Sequence, residues 1–204
     1  YRGNACANWE ILSGEEYHGV TVHLMEPGRL DSGPIVLQEK VPIFDDTDVG
    51  QLVEATESIG LNLMVNAVKL YNDQRVNLIE QDEKNVLYCY PRLPMDGEID
   101  WSLPADVIGR LIRAAAFPYP GAYSYFQDIK NKGLIRKLRI NKGEVIDHGS
   151  DFHAVNGHVI KLSQNGRGIV CGDKKIIKLL DIDVDGNKLP PNKAFKTVRQ
   201  RLGL

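Results

Sequence analysis

Two apolar runs, Gly19-Val-Thr-Val-His-Leu-Met and Pro34-Ile-Val-Leu-Gln, bracket a loop, Glu26-Pro-Gly-Arg-Leu-Asp-Ser-Gly, in which Asp31 is the residue best suited to chemistry. A carboxylate on a glycine-containing loop at a sheet edge can orient a histidine, raise its pKa or accept a proton from an attacking amine. Asp-Ser-Gly is also ordinary turn chemistry, in which Asp31 would only shape the bend. His23 lies on the first apolar run, where a histidine is more often packed and hydrogen-bonded than a base. Tyr1 and Trp9 could stack on a base or a pterin, although aromatics beside a strand usually serve the core. Cys6, Cys89 and Cys171 show no paired spacing, which suits reduced thiols in a cytoplasmic protein and offers no metal site.

The elements that must position the loop follow from periodicity. Gly19 to Met25 reads as a buried strand, and Ile35 to Ile43 as a second strand whose later part alternates, with Pro42 marking an edge or an end. Asp45-Asp46-Thr47-Asp48 supplies capping side chains and first-turn negative charge for a long helix. Its apolar positions are Val49, Leu52, Val53, Thr56, Ile59, Leu63, Met64, Ala67, Val68 and Tyr71, with Gly60 a local weakness. Tyr90-Pro-Arg-Leu-Pro-Met-Asp-Gly reads as a linker and sets a domain boundary near residue 90. A second helix starts at Ser102-Leu-Pro-Ala-Asp and is stopped by Pro118 and Pro120. Beyond it, 138–140, 144–146, 159–162, 168–171 and 176–184 are short β-rich runs separated by turns, at the spacing of a small barrel.

At 204 residues, 43% hydrophobic and 25% charged, the composition is that of an ordinary globular protein, with no membrane-spanning run and no secretory signal in view. The net charge of −2 conceals a split: residues 1–127 hold 9 Lys/Arg against 19 Asp/Glu, and residues 128–204 hold 16 against 8. Such a split points either to an anionic partner for the basic part or to a solvated lysine surface. Phe152 and Phe195 are the only Phe, Tyr or Trp residues in that part, too few for an obvious base-stacking platform.

The opening Tyr1-Arg-Gly-Asn-Ala, followed by Thr21-Val-His-Leu-Met, a short loop and Leu30-Asp-Ser-Gly-Pro-Ile-Val-Leu-Gln, resembles the folate-dependent formyltransferase family. Glycinamide ribonucleotide enzymes look similar over Val20 to Gln38, so the acceptor is not identified there. Ile99-Asp-Trp-Ser-Leu-Pro-Ala, Leu111-Ile-Arg-Ala and Pro118-Tyr-Pro-Gly-Ala-Tyr are similar to the start of the C-terminal domain of methionyl-tRNA and amino-sugar formyltransferases. The resemblance implies an α/β catalytic domain of Rossmann-like type, its C-terminal half in residues 1–90, followed by a linker, a helix and an OB-like β barrel in 91–204. It implies that Asp31 is catalytic and that Asn4 and the loop Pro27, Gly28, Arg29, Leu30 and Asp31 line the site of the donor, 10-formyltetrahydrofolate, with no metal. At Asn4 the family often has arginine, so a charged donor contact is missing there.

The implied reaction is acyl transfer. A neutral amine attacks the formyl carbon, an asparagine and a histidine stabilise the developing oxyanion, and Asp31 tunes the histidine and manages the proton. In the family those two residues stand just upstream of Tyr-Arg-Gly, so the sequence reads as N-terminally truncated and this chain alone as inactive. The leading acceptor is a nucleotide-linked amino sugar, favoured by Asn8-Trp9, Gly19-Val-Thr-Val-His and the linker. Initiator methionyl-tRNA is the alternative, favoured by the basic C-terminal part. Formyltetrahydrofolate hydrolysis and a non-catalytic OB-type binding module rank below these. A cytoplasmic homodimer is compatible with the resemblance.

Overall fold

The computed structural model describes residues 1–131, 133–149 and 151–203, and the chain divides into two compact units, Tyr1–Arg92 and Leu93–Leu204. In the first unit, strand β1 (Arg2–Gly3) leads into helix α1 (Cys6–Ser13), an antiparallel ribbon of β2 (Tyr17–His23) and β3 (Ile35–Pro42), the long helix α2 (Val49–Asn72) and strand β4 (Tyr88–Cys89). β1 pairs in parallel with β4. β2 alternates, with His18 and Val20 inward and Tyr17 and Gly19 outward, so it is a half-buried strand and not the fully buried one its apolar run predicts. It ends at His23, leaving Met25 exposed on the loop. Pro42 closes β3, where a missing N–H does no harm.

α2 begins at a reciprocal cap: Gln51 N donates to Asp48 Oδ1 at 3.0 Å and Asp48 N donates to Gln51 Oε1 at 2.8 Å. The acidic run therefore contributes the cap itself, and no acidic side chain occupies the first turn. The helix passes unbroken through Gly60, which lies over Val20. Its Val49, Leu52, Leu63 and Ala67 are buried, whereas Met64, Val68 and Tyr71 are exposed, contrary to their place in the predicted stripe. The ribbon covers only one side of α2, and the described residues of this unit offer nothing to the other.

A buried polar pair ties these elements together. Glu10 on α1 and His18 on β2 are 5% and 6% exposed, and Glu10 Oε2 is hydrogen-bonded to His18 Nδ1. Thr56 Oγ1 donates to Leu52 O at 2.7 Å, so its oxygen accepts from His18 Nε2, 2.9 Å away. Nε2 thus carries a proton, and a second lies between Nδ1 and the carboxylate. Removing one member strands the other in the interior. We expect His18→Ala to lower unfolding stability by about 3 kcal/mol in denaturant titration. A loss below about 1 kcal/mol would mean that Glu10 finds water instead.

In the second unit a short 3₁₀ turn at Pro94–Gly97 precedes helix α3 (Ala105–Ala114) and strands β5 (Ala122–Gln127), β6 (Ile135–Ile146), β7 (Val159–Lys161), β8 (Arg167–Val170), β9 (Ile176–Val184) and β10 (Asn187–Lys188), then a last turn of helix, α4 (Pro191–Ala194). The sheet order is β5-β6-β9-β8-β7, with β10 on β9. Two of the predicted β runs, 138–140 and 144–146, are one strand, because a bulge between Ile140 and Gly143 absorbs the polar residues without ending the pairing. β5, unannounced by the β-run pattern, follows directly on the proline-rich stop after α3.

The strands expected to form an OB-like barrel make one sheet that is an open path among the described residues, with no closed barrel found there. Its outer strands are spanned only by isolated bridges, Leu202 to Phe126 and Arg201 to His158. The five-run reading omitted β5, whose ends this C-terminal segment approaches. Ile108 and Ile112 of α3 pack with Leu138, Ile140, Ile177 and Ile182, with Phe195 and Trp101 in the same cluster. The Trp101 indole donates to Ser124 Oγ at 2.9 Å, so its buried N–H is satisfied. Among the described residues, no helix is long and apolar enough to cross a membrane.

Candidate functional site

The β2–β3 connection is held shut at its base by Leu24 N donating to Pro34 O at 2.9 Å. Further out, Pro27 and Gly28, the latter at φ 76°, form the bend of a turn in which Arg29 N reaches Glu26 O at 3.3 Å. Asp31 adopts φ 52°, a left-handed conformation that aspartate accepts more readily than most residues. Its carboxylate, 40% exposed, faces His23 across the loop, Oδ1 lying 3.8 Å from Nε2. His23 Nδ1 lies 2.8 Å from Leu24 O and must be the protonated nitrogen there, since a carbonyl only accepts. Nε2 is therefore the atom that exchanges a proton, and it is the one turned toward Asp31. The separation places the two side chains within ion-pair range but leaves no direct hydrogen bond between them.

The conformation of this loop is imposed from outside it. Ile35 and Ile79 exchange both backbone hydrogen bonds, at 2.8 and 3.0 Å, which lays the segment after α2 beside the start of β3. Two residues further, the Gln81 amide donates to Asp31 O at 3.1 Å and to Gly33 O at 2.7 Å. Gln81 Oε1 accepts from Arg2 at 2.7 Å, and the same guanidinium forks onto Glu83 with both contacts at 3.1 Å. Arg2 is buried, and its hydrogen bonds, with its charge adding to them, hold the Glu83 carboxyl below the ordinary glutamate range. Arg29 joins the network from the loop side, 3.3 Å from Glu83 and 3.3 Å from Glu26.

Of the residues predicted from sequence, Pro27, Gly28, Arg29, Leu30 and Asp31 share this loop, with Leu30 exposed beyond the turn. Asn4 is exposed between β1 and α1, its backbone N–H donating to Cys89 O at 3.0 Å. Tyr1 donates to Glu15 at 2.7 Å and the Trp9 indole to Tyr90 O at 2.9 Å, with Arg92 stacked 5.4 Å from the indole ring, so both aromatics serve local structure. Arg2, Gln81 and Glu83 were not singled out by sequence. Nothing in a lone Gln-Asp-Glu stretch distinguishes a hydrogen-bonding clamp from a solvated loop.

Ser32, beside Asp31, is 7% exposed and its hydroxyl has no partner among the described residues. No group of three or more His, Cys, Asp or Glu that could hold a metal ion occurs among the described residues.

An α/β unit carrying a pinned carboxylate, followed by a β-sheet unit, has known counterparts. Residues 1–68 match the family model described as "Formyl transferase", and residues 94–199 match "Formyl transferase, C-terminal domain". The chain belongs to the formyl transferase family. It is 30% identical over 195 residues to a methionyl-tRNA formyltransferase of Moorella thermoacetica, covering 96% of this chain and 59% of that protein. It thus spans little over half the length of such curated relatives.

Among solved structures, an N-formyltransferase from Helicobacter canadensis, in complex with folinic acid and dTDP-3-aminofucose, aligns with a TM-score of 0.66 at 19% identity, over 93% of this chain and 62% of that one. HypX from Aquifex aeolicus in complex with tetrahydrofolic acid aligns with a TM-score of 0.67 at 17% identity, over 95% and 32%. At these identities the likeness is one of fold.

Proposed function

We propose that the protein transfers a formyl group from 10-formyltetrahydrofolate to the primary amine of a nucleotide-linked amino sugar, with Asp31 as its proton-managing carboxylate. The observation that carries this reading is the Asp31 carboxylate, turned toward the exchangeable nitrogen of His23 on a loop clamped from three sides. The donor supplies the electrophilic carbon. This chain supplies a fixed negative charge that stabilises positive charge developing on an attacking amine and takes its proton. The loop Pro27, Gly28, Arg29, Leu30 and Asp31 lines the site we assign to the donor, and Asn4 belongs to the same proposal. Folate ligands in the solved relatives support the choice of donor. Residues 1–90 are read as part of a Rossmann-like catalytic domain, and 91–204 as an OB-like domain left open. A cytoplasmic location and a homodimer are part of the same reading.

The acceptor turns on the basic second unit. Lys175 pairs with Asp106 at 3.1 Å, Lys178 with Glu144 at 2.7 Å, Lys188 with Asp181 at 2.7 Å, and Arg136 with both Asp128 and Asp185 at 2.6 and 2.9 Å. Arg167 is buried, donating to Phe195 O and Gly166 O. These pairs engage a minority of the Lys and Arg residues of 128–204, which keep their excess over Asp and Glu, so pairing tempers the basic surface without removing it. The second reading, methionyl-tRNA, is favoured by the names of the sequence relatives.

We expect the full-length protein to formylate a nucleotide-linked amino sugar in the presence of 10-formyltetrahydrofolate. Its binding to initiator tRNA should be weak and should not respond to neutralising Lys174, Lys175 and Lys178 together. Efficient formylation of methionyl-tRNA without turnover of an amino sugar, with affinity falling steeply as salt rises, would reverse the order of the two acceptors.

A further inference from the structure

We infer that Gln81 is a positioning residue that sets the backbone of Asp31, with Arg2 fixing the orientation of its amide; this rests on the reading of Asp31 as the site's carboxylate. The two carbonyls that Gln81 holds are those of Asp31 and Gly33, so a single NH₂ group fixes the Asp31–Ser32 and Gly33–Pro34 peptide planes. One of those planes adjoins the left-handed φ of Asp31. A non-glycine residue in that region persists only where its surroundings determine it. Nothing in the loop itself supplies a donor to these carbonyls.

The amide cannot reverse. Its oxygen accepts from the buried Arg2 guanidinium, and a flipped amide would set NH₂ against that cation and oxygen against two carbonyls. Arg2 in turn is fixed by the fork onto Glu83, by Tyr88 Oη at 3.4 Å and by the pairing of β1 with β4. The relay runs from β1 through one guanidinium and one amide to the loop, and every donor and acceptor of the Gln81 side chain's amide is engaged. Gln81 touches the main chain of Asp31 and not its carboxylate, so it acts through Asp31 and not on substrate.

The test uses Gln81→Glu, which keeps the bond to Arg2 but loses both donors, and Gln81→Met, which keeps length and loses all polarity. Each is made in the full-length protein alone and together with Asp31→Asn. We expect kcat for formyl transfer to fall about 10- to 100-fold in either single variant. KM for the amine and the melting temperature should stay close to wild type. In the Asp31→Asn background the same changes should cost no more than about threefold, because their effect passes through the lost carboxylate.

Full additivity with Asp31→Asn, wild-type kcat in both variants, or loss of folding in both would overturn the inference and leave Gln81 a structural residue. Wild-type activity of Asp31→Asn alone would overturn the catalytic reading itself, and the positioning role with it.

Discussion

On the proposed function, Asp31→Asn in the full-length protein is expected to lower formyl transfer by about 10²- to 10⁴-fold while folding and donor binding are retained. The amide keeps the size and shape of the side chain but can neither carry the charge that faces His23 Nε2 nor accept a proton from the attacking amine. The substitution leaves the loop in place because none of the bonds that hold residues 31–34 uses the Asp31 carboxylate: the Gln81 amide reaches Asp31 O and Gly33 O, and Leu24 N reaches Pro34 O. Asparagine also tolerates the left-handed φ. The loss should therefore appear in kcat with little change in the affinity for donor. Steady-state kinetics together with donor titration by fluorescence or calorimetry would read both. Turnover within a few-fold of wild type would make Asp31 a turn residue.

What the sequence made legible was what depends on local pattern. The run Asp45-Asp46-Thr47-Asp48 announces the start of α2, and the helix begins at the residue that follows it. Asp-Ser-Gly between two strands is equally local, and the loop forms where the pattern puts it. The parts that stayed hidden depend on partners far apart in the chain. Gln81 and Arg2 are separated by most of the first unit, and neither residue type signals a clamp until β1 and β4 pair. The exposed side of α2 was misread for a related reason. Periodicity predicts a stripe wide enough to be buried, but burial requires a neighbour, and Met64, Val68 and Tyr71 have none among the described residues of this unit. In the second unit the turn signal at Asn141-Lys-Gly split one strand into two, since a bulge and a turn use the same residue types. The charge split was legible as a number, whereas its individual ion pairs required knowing that Lys178 lies across from Glu144 on paired strands.

Gly33→Ala should be the most destabilising single-methyl change in the first unit. A Cβ at this position would lie 1.8 Å from Leu24 O and 2.8 Å from Leu24 C, well inside any tolerable contact. Neither backbone can retreat without loss, because Leu24 N is bonded to Pro34 O and Gly33 O accepts from Gln81. Relief requires opening the base of the loop, which breaks those bonds and exposes the buried Ser32. We expect a loss of about 4 kcal/mol in denaturant unfolding, with formyl transfer falling by more than tenfold in whatever protein remains folded. Gly28 in the same loop is the control. Its φ of 76° is strained for alanine, but an added Cβ meets nothing within 4 Å, so Gly28→Ala should cost only about 1 kcal/mol. Equal losses at the two positions would mean that backbone dihedral preference, and not the approach of Leu24, governs the loop. In that case the left-handed residue at 31 would hold its conformation by local strain alone, and the clamp from Gln81 would be dispensable.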